Sequence, residues 1–127
     1  MKLNEINTIR QALVLLGEEK FPIVYEIAKN IKLCDKALDE AKIYGKQLTE
    51  KFADKNEDGS IKQYIENGQS LMKVTDSEDL EHLQHELSKI ENEEHDIPFL
   101  IISKDLLKSP TISSALRFVP LIDTVIK

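Results

Sequence analysis

This 127-residue chain carries a long, regular stripe of apolar residues, which limits the folds that it can adopt. Between residues 24 and 52, apolar or small side chains recur at alternating intervals of three and four positions: Val24, Ile27, Ile31, Cys34, Leu38, Ala41, Gly45, Leu48 and Phe52. We call this set the seam. Its spacing predicts a long helix from Pro22 to about Ala53 that packs along another helix. We expect the whole seam to be buried, because soluble monomers rarely expose so long an apolar stripe.

Three further segments show helical spacing. The first helix runs from a cap at Asn4 to Gly17 and carries an apolar stripe of Leu3, Ile6, Ile9, Leu13 and Leu16. A helix that opens at Ser77 is the predicted antiparallel partner of the long helix, with a stripe of Leu80, Leu83, Leu87 and Ile90. The last helix starts at Ser109-Pro110 and is kinked or stopped at Pro120, with a stripe of Ile112, Leu116, Val119 and Ile122.

Two short segments favour extended structure. Asn67-Gly68 separates the runs Ser60–Glu66 and Gln69–Thr75, and this dipeptide favours a type I′ hairpin turn because both residues accept positive φ. The apolar run Ile97–Ile102 contains Pro98, which predicts an edge strand or an extended packing segment. The predicted fold is therefore mainly α with a small β-hairpin (α+β), in which a long helical hairpin packs with N- and C-terminal helices. We expect residues 1–127 to form a single domain.

Composition and charge narrow the classes of function. The net charge is -6, Lys and Arg are scattered, and there is no Trp, so the sequence argues against a nucleic-acid partner. It contains neither a signal-peptide pattern nor the roughly 18 consecutive apolar residues of a membrane span. The single cysteine, Cys34, fits a reducing compartment. We expect a cytoplasmic protein that does not act at a membrane.

The segment after the long helix matches the start of an EF-hand loop, with Asp54, Asn56 and Asp58 as the strongest candidate metal ligands. The twelfth position, which should hold a bidentate glutamate, is Ile65, and Glu66 comes one residue late. A solvated turn is therefore favoured over a calcium site. We predict no metal and no other cofactor.

Four other side chains, three histidines and one cysteine, are of types that can bind metals or act as nucleophiles. His82 and His85 lie three positions apart, and His95 follows among several carboxylates, but no ligands from a second helix are evident. Solvated or capping histidines are favoured over a metal site or a pH-sensitive surface. Cys34 belongs to the seam and has no histidine close in sequence, which favours a buried apolar role over nucleophilic catalysis. No catalytic motif is present, and we predict that the chain is not an enzyme.

The region from Asp76 to Asp96 is strongly acidic and contains a single basic residue, Lys89. A solvated helix face is the simpler interpretation. The sharper one is a surface that meets a basic groove on another protein. The predicted partner-binding residues are Glu78, Asp79, Glu81 and Glu86.

The order of elements resembles a family of small uncharacterised phage and prophage proteins. The resemblance is carried by the Leu-rich first helix, by Gly17 to Pro22, by Ile27 to Asn30, by Lys51 to Gly59 and by Leu87 to Ile97. It implies a phage-encoded accessory protein that acts on other proteins, and it assigns no functional residue. The segment Gln63–Asp76 is longer than the family's compact turn, which puts a family role for that loop in doubt.

These observations lead to one main hypothesis and two alternatives. The main hypothesis is a phage-type adaptor or inhibitor that presents an acidic helical face to a host or phage protein. The first alternative is a homo-oligomeric assembly or scaffold protein built on the seam. The second is an enzyme or metal protein that uses the loop from Asp54 to Glu66 or the histidines.

Overall fold

A computed structural model describes residues 1–19, 21–107 and 117–127. Its helices are α1 (Leu3–Gly17), α2 (Val24–Phe52) and α3 (Ser77–Asn92), and its two strands are β1 (Tyr64–Glu66) and β2 (Gln69–Leu71). Short 3-10 turns span Lys104–Leu106 and Val119–Leu121. The predicted class, mainly α with a small β-hairpin, is confirmed.

The predicted bounds of the first two helices and the predicted start of the helix at Ser77 agree with the structure to within two residues. Helix α1 begins at Leu3, before the predicted cap Asn4. Lys2 is the N-terminal cap residue, and its N–H donates to the carboxylate of Glu5 (3.0 Å). Helix α2 begins at Val24 rather than Pro22, and the carbonyl of Ile23 accepts the first helical hydrogen bond, from Ile27 (3.1 Å).

The hairpin forms as predicted. Tyr64 pairs with Leu71, Ile65 with Ser70, and Glu66 with Gln69, in antiparallel register. Asn67 and Gly68 have φ values of 52° and 76°, the combination that a type I′ turn requires.

The contacts divide the chain into two compact units. Unit 1 comprises Met1–Asp39 and Glu93–Lys127, and unit 2 comprises Glu40–Asn92. Helix α2 contributes its first half to unit 1 and its second half to unit 2. A single domain over residues 1–127 therefore stays a prediction, and we describe each unit by itself.

Unit 1 contains most of the buried apolar side chains among the described residues. Its fully buried large side chains come from α1, from Ile23 directly before α2, and from the described residues after α3, which we call the C-terminal segment. They include Ile6, Leu13, Leu16, Ile23, Ile102, Leu121 and Val125. The guanidinium of Arg10 on α1 donates to the carboxylate of Asp35 on α2 at the edge of this core. Three layers of chain thus enclose one apolar interior.

The seam is buried or half-buried at every position except Val24, which is 76% exposed. The expectation that the whole seam is buried is therefore met only at Ile27 and Cys34, falls short at the six half-buried positions, and is wrong at Val24. Because the helix begins at Val24, the preceding Ile23 occupies the buried position instead. In unit 1 the fully covered line is Ile23, Ile27, Asn30, Cys34 and Ala37.

Asn30 is the one buried polar residue among those that the structure describes. Its side-chain amide donates to the carbonyl of Leu100 (2.9 Å), and its amide oxygen accepts from the N–H of Leu100 (2.8 Å). These two hydrogen bonds satisfy both the N–H and the carbonyl of Leu100, which does not belong to a strand. Asn30 therefore fixes the segment after α3 against α2 within unit 1.

The predicted edge strand over Ile97–Ile102 is reduced to a single bridge. Residues 93–101 have no regular structure, and only Ile102 pairs, in parallel, with Ile126. The N–H of Ile102 donates to Val125 (2.7 Å), and the N–H of Lys127 donates to Ile102 (3.1 Å). The alternative prediction, an extended packing segment, describes this region better.

The predicted last helix lies partly outside the described residues, since Ser109, Pro110, Ile112 and Leu116 fall there. Val119 and Ile122 were expected on its buried stripe, but both are exposed. Pro120 lies in a 3-10 turn, as its predicted stopping role requires, and Asp123, in the turn that follows, has a φ of 64°. Leu121, Val125 and Ile126 are buried instead.

Unit 2 consists of the second half of α2, the loop and hairpin, and α3. A Cβ atom on Gly45 would lie 3.6 Å from Leu87 Cδ2, and the Phe52 ring meets the His82 ring edge-on at 6.3 Å. These contacts run in opposite directions along the two helices, so α3 packs antiparallel to α2 as predicted. In this fully described unit only Ala53 and Leu83 are buried.

Candidate functional site

The acidic residues predicted to bind a partner lie on α3 in unit 2. The carboxylate of Asp76 caps this helix by accepting the N–H of Asp79 (3.0 Å). Glu78 and Glu81 are exposed, whereas Asp79 and Glu86 are half-buried. At about 100° per residue, Glu78 and Glu81 project away from the buried Leu83, while Asp79 and Glu86 flank it. The structure therefore brings two of the four carboxylates onto the outer side of the helix.

Glu86 belongs to a mixed-charge groove instead of an acidic face. Its carboxylate accepts from Lys89 Nζ (2.9 Å), and this bond, followed by the charge of Lys89, lowers the pKa of Glu86. The charges of His85 and Lys51 lower the pKa further. Glu86 is thus already paired with a cation of the chain, whereas Glu78, Asp79 and Glu81 form no ion pair among the described residues, and of these three Glu78 and Glu81 are exposed.

Two adjoining cavities follow the α2 and α3 helices of unit 2. One, of about 450 Å³, is lined by Leu48, Lys51, Phe52, His82, His85, Glu86 and Lys89. The other, of about 420 Å³, is lined by Tyr44, Gln47, Leu48, Lys51 and Ile90. Leu48 and Lys51 line both, so the two cavities adjoin, and we call them together the groove.

Sequence reasoning missed Ile43, Tyr44 and Lys51 as functional candidates. They lie off the seam, and no catalytic or metal-binding motif includes them. Ile43 and Tyr44 are large apolar residues on the polar side of an amphipathic helix, which is the signal that could have found them.

The loop after α2 uses Asp54 as a structural anchor. The carboxylate of Asp54 accepts from the N–H and the hydroxyl of Thr75 (3.0 and 2.9 Å) and from the hydroxyl of Tyr64 (2.9 Å). The Thr75 N–H is the largest cause of the lowered pKa of Asp54. A lowered pKa means that this carboxylate stabilises the fold above its ordinary pKa, and that the contribution is lost as the pH falls.

Asn56 and Asp58 close a tight turn around Ser60. Asp58 accepts from the hydroxyl and the N–H of Ser60 (2.6 and 3.0 Å), and these bonds lower the pKa of Asp58. Asn56 donates through its side chain to the Ser60 hydroxyl (3.1 Å). Ile65, at the position where a calcium loop has its glutamate, is 80% exposed. These bonds match the solvated turn favoured by the sequence.

The histidines lie in different surroundings. His82 and His85 are exposed on α3 and line the groove of unit 2. In unit 1, His95 exchanges backbone hydrogen bonds with Met1, and its Nε2 atom lies 4.0 Å from Glu93 Oε2. Within the described ranges, no three histidine, cysteine or carboxylate side chains form a group that could hold a metal ion.

The predicted burial of Cys34 is confirmed. The side chain is fully buried in unit 1, and this burial raises the pKa of its thiol to about 11. The thiol is therefore protonated near neutral pH, where only the thiolate is a strong nucleophile.

Comparison with known proteins adds no family. No protein-family model, no curated protein and no solved structure matches the chain. Along the described part of the chain, no helix combines the length and apolar character that crossing a membrane requires. The resemblance to phage proteins therefore stays a prediction.

Proposed function

We propose that this chain is a non-enzymatic protein-binding module whose contact surface lies on unit 2. The observation that carries the proposal is the incomplete burial of unit 2, where only Ala53 and Leu83 are covered while Ile43 and Tyr44 are more than half exposed. Unit 1 shows that the same chain can enclose a contiguous apolar core. Apolar side chains that remain open beside a groove favour a surface that another protein covers.

The charge of α3 favours a basic contact on that partner. Among the residues that the structure describes, Glu78 and Glu81 form no ion pair, so their charge is free to attract cationic side chains. The N-terminus of α3 carries a partial positive charge, which stabilises the carboxylates of Glu78 and Asp79 while leaving them negatively charged. Long-range attraction of this kind accelerates encounter and favours partners of opposite charge.

The kind of partner follows from the sequence resemblance. We propose a phage-type adaptor or inhibitor that acts on a host or phage protein in the cytoplasm. The protonated, buried Cys34 is compatible with a reducing compartment. The proposal assigns no catalytic residue and no cofactor, and the net charge of -6 disfavours nucleic acid as the partner.

Affinity capture with matched variants tests the proposal. The immobilised wild-type chain is compared with Glu78→Lys/Glu81→Lys in a bacterial lysate, and bound proteins are quantified by mass spectrometry. We expect at least one basic protein to be captured and to decrease about tenfold with the variant, since reversed charge repels a basic surface. Capture should also weaken as salt rises.

The control is Glu18→Lys/Asp96→Lys, which makes the same change in net charge at exposed positions of unit 1. It should retain the captured protein. If both double variants lose it equally, overall charge rather than α3 is responsible. If neither loses it, the acidic residues have no part in binding.

A further inference from the structure

The second half of α2 has an outward stripe that is distinct from the seam. It consists of Glu40, Ile43, Tyr44, Gln47 and Lys51, all of them exposed, with Ile43 at 56% and Tyr44 at 59%. We call it the outer stripe. Positions 40, 44, 47 and 51 follow each other at intervals of four, three and four, the spacing of a coiled-coil contact line. Ile43 flanks this line beside Tyr44.

The inner side of the same helix is already in use. The seam residue Gly45 lies against Leu87 of α3, and Leu48 and Phe52 are half-buried. A homo-oligomer built on the seam would have to displace α3 in unit 2. The outer stripe needs no such displacement, and the cavity lined by Tyr44, Gln47, Leu48, Lys51 and Ile90 adds apolar surface at its edge.

The charges of the outer stripe are self-complementary. It begins with Glu40 and ends with Lys51, and neither forms an ion pair within the described part of the chain. Lys51 Nζ lies over the Phe52 ring at 5.6 Å, which leaves its charge intact. If two copies of α2 align antiparallel, each Glu40 faces the Lys51 of the other copy, and Tyr44 faces Gln47. A parallel alignment would place Glu40 against Glu40 and Lys51 against Lys51.

We propose that a second copy of this chain docks antiparallel on the outer stripe and forms a two-fold symmetric dimer. Two-fold symmetry repeats each contact, so the dimer contains two Glu40–Lys51 ion pairs and covers Ile43 and Tyr44 of both copies. Glu78 and Glu81 lie on α3, outside this stripe. The dimer occupies the exposed Ile43 and Tyr44 on which the proposed function also rests, whereas the acidic contact lies on Glu78 and Glu81, so variants of the two surfaces test the two proposals separately.

Sedimentation equilibrium of the purified full chain over a range of concentrations tests the dimer. We expect a reversible monomer–dimer equilibrium. Ile43→Glu should weaken it at least about tenfold, because a carboxylate then replaces an apolar contact twice. The matched control is Ile65→Glu, which changes an even more exposed isoleucine of the same unit on the hairpin. It should leave the dimer unchanged.

Charge reversal tests the antiparallel register. Glu40→Lys and Lys51→Glu should each weaken the dimer roughly tenfold, since like charges then meet at both ends. The double variant Glu40→Lys/Lys51→Glu should restore it. Circular dichroism checks that every variant is folded. A wild-type chain that stays monomeric at all concentrations overturns the dimer, and a double variant as weak as the single ones overturns the register.

Discussion

Unit 1 and unit 2 share one long helix, yet they differ in how completely they cover it. In unit 1, α2 is covered by α1 and by the C-terminal segment, and Ile27, Cys34 and Ala37 are buried. In unit 2, α2 is paired with α3 alone, and Leu48 and Phe52 on the same seam are only half-buried. An amphipathic pattern therefore specifies which side of a helix faces inward, whereas the number of layers around it sets the burial achieved.

This difference suggests a division of roles. A unit of roughly 50 residues can bury only part of its apolar surface, so unit 2 gains little stability from its own core. Unit 1 supplies the buried area that stabilises a folded chain. The proposed contacts with a partner and with a second copy accordingly both lie on unit 2, where apolar and charged groups remain uncommitted.

The largest expected effect comes from truncating matched leucines in the two units. Leu13→Ala in unit 1 removes a fully buried side chain and should lower the free energy of unfolding by about 3 kcal/mol. Leu87→Ala in unit 2 removes a half-buried one and should cost about 1 kcal/mol. Urea unfolding followed by circular dichroism measures both. Equal losses of unfolding free energy would contradict the difference between the units, since they would mean that unit 2 is packed as tightly as unit 1.

Asn30→Ala should have the next largest effect. It leaves the N–H and the carbonyl of Leu100 without their partner, which should cost roughly 2 kcal/mol of stability. In hydrogen exchange, the amide of Leu100 should lose its protection. Asn7→Ala, at an exposed position of α1, is the control and should change stability by less than about 0.5 kcal/mol. Unchanged protection at Leu100 would show that Asn30 does not hold this segment.

Local patterns predicted the elements well because the forces behind them are local. The positive φ values of Asn67 and Gly68, the start of α3 at Ser77 and the seam from Ile27 to Phe52 all follow from neighbouring residues. The role of Asn30 could not be predicted, because its partner Leu100 lies 70 positions away. Asn30 lies on the buried side of α2, where an apolar residue would be expected. Its burial is favourable because its amide bonds the backbone of Leu100.

The candidate site was predicted less completely, for a similar reason. The acidic sequence of α3 predicts the same role for Glu86 as for Glu78 and Glu81. In the structure, however, Glu86 accepts a hydrogen bond from Lys89 and is already paired. The exposure of Ile43 and Tyr44 depends on how many layers cover α2, and no local pattern contains that information. Charge and apolar periodicity indicated α3 as a candidate contact, and tertiary coverage decides which of its residues remain unpaired.

The smallest expected effect is a gain in stability from Gly45→Ala. Glycine on the seam predicted a close approach or a bend, yet α2 is continuous from Val24 to Phe52. The added Cβ would meet Leu87 Cδ2 at 3.6 Å, an ordinary van der Waals distance. Alanine has the higher helix propensity, so the variant should gain about 0.5–1 kcal/mol in the free energy of unfolding.

Gly59→Ala in the same unit is the matched control. Gly59 has a φ of +86°, and an added Cβ there would meet no atom within 4 Å, so only backbone strain changes. This variant should lose about 1 kcal/mol because left-handed backbone disfavours residues with a side chain. Urea unfolding of both variants gives the sign. If Gly45→Ala also destabilises the chain, Leu87 cannot yield to the new methyl group, and α2 and α3 must be packed more tightly than the half-buried seam of unit 2 implies.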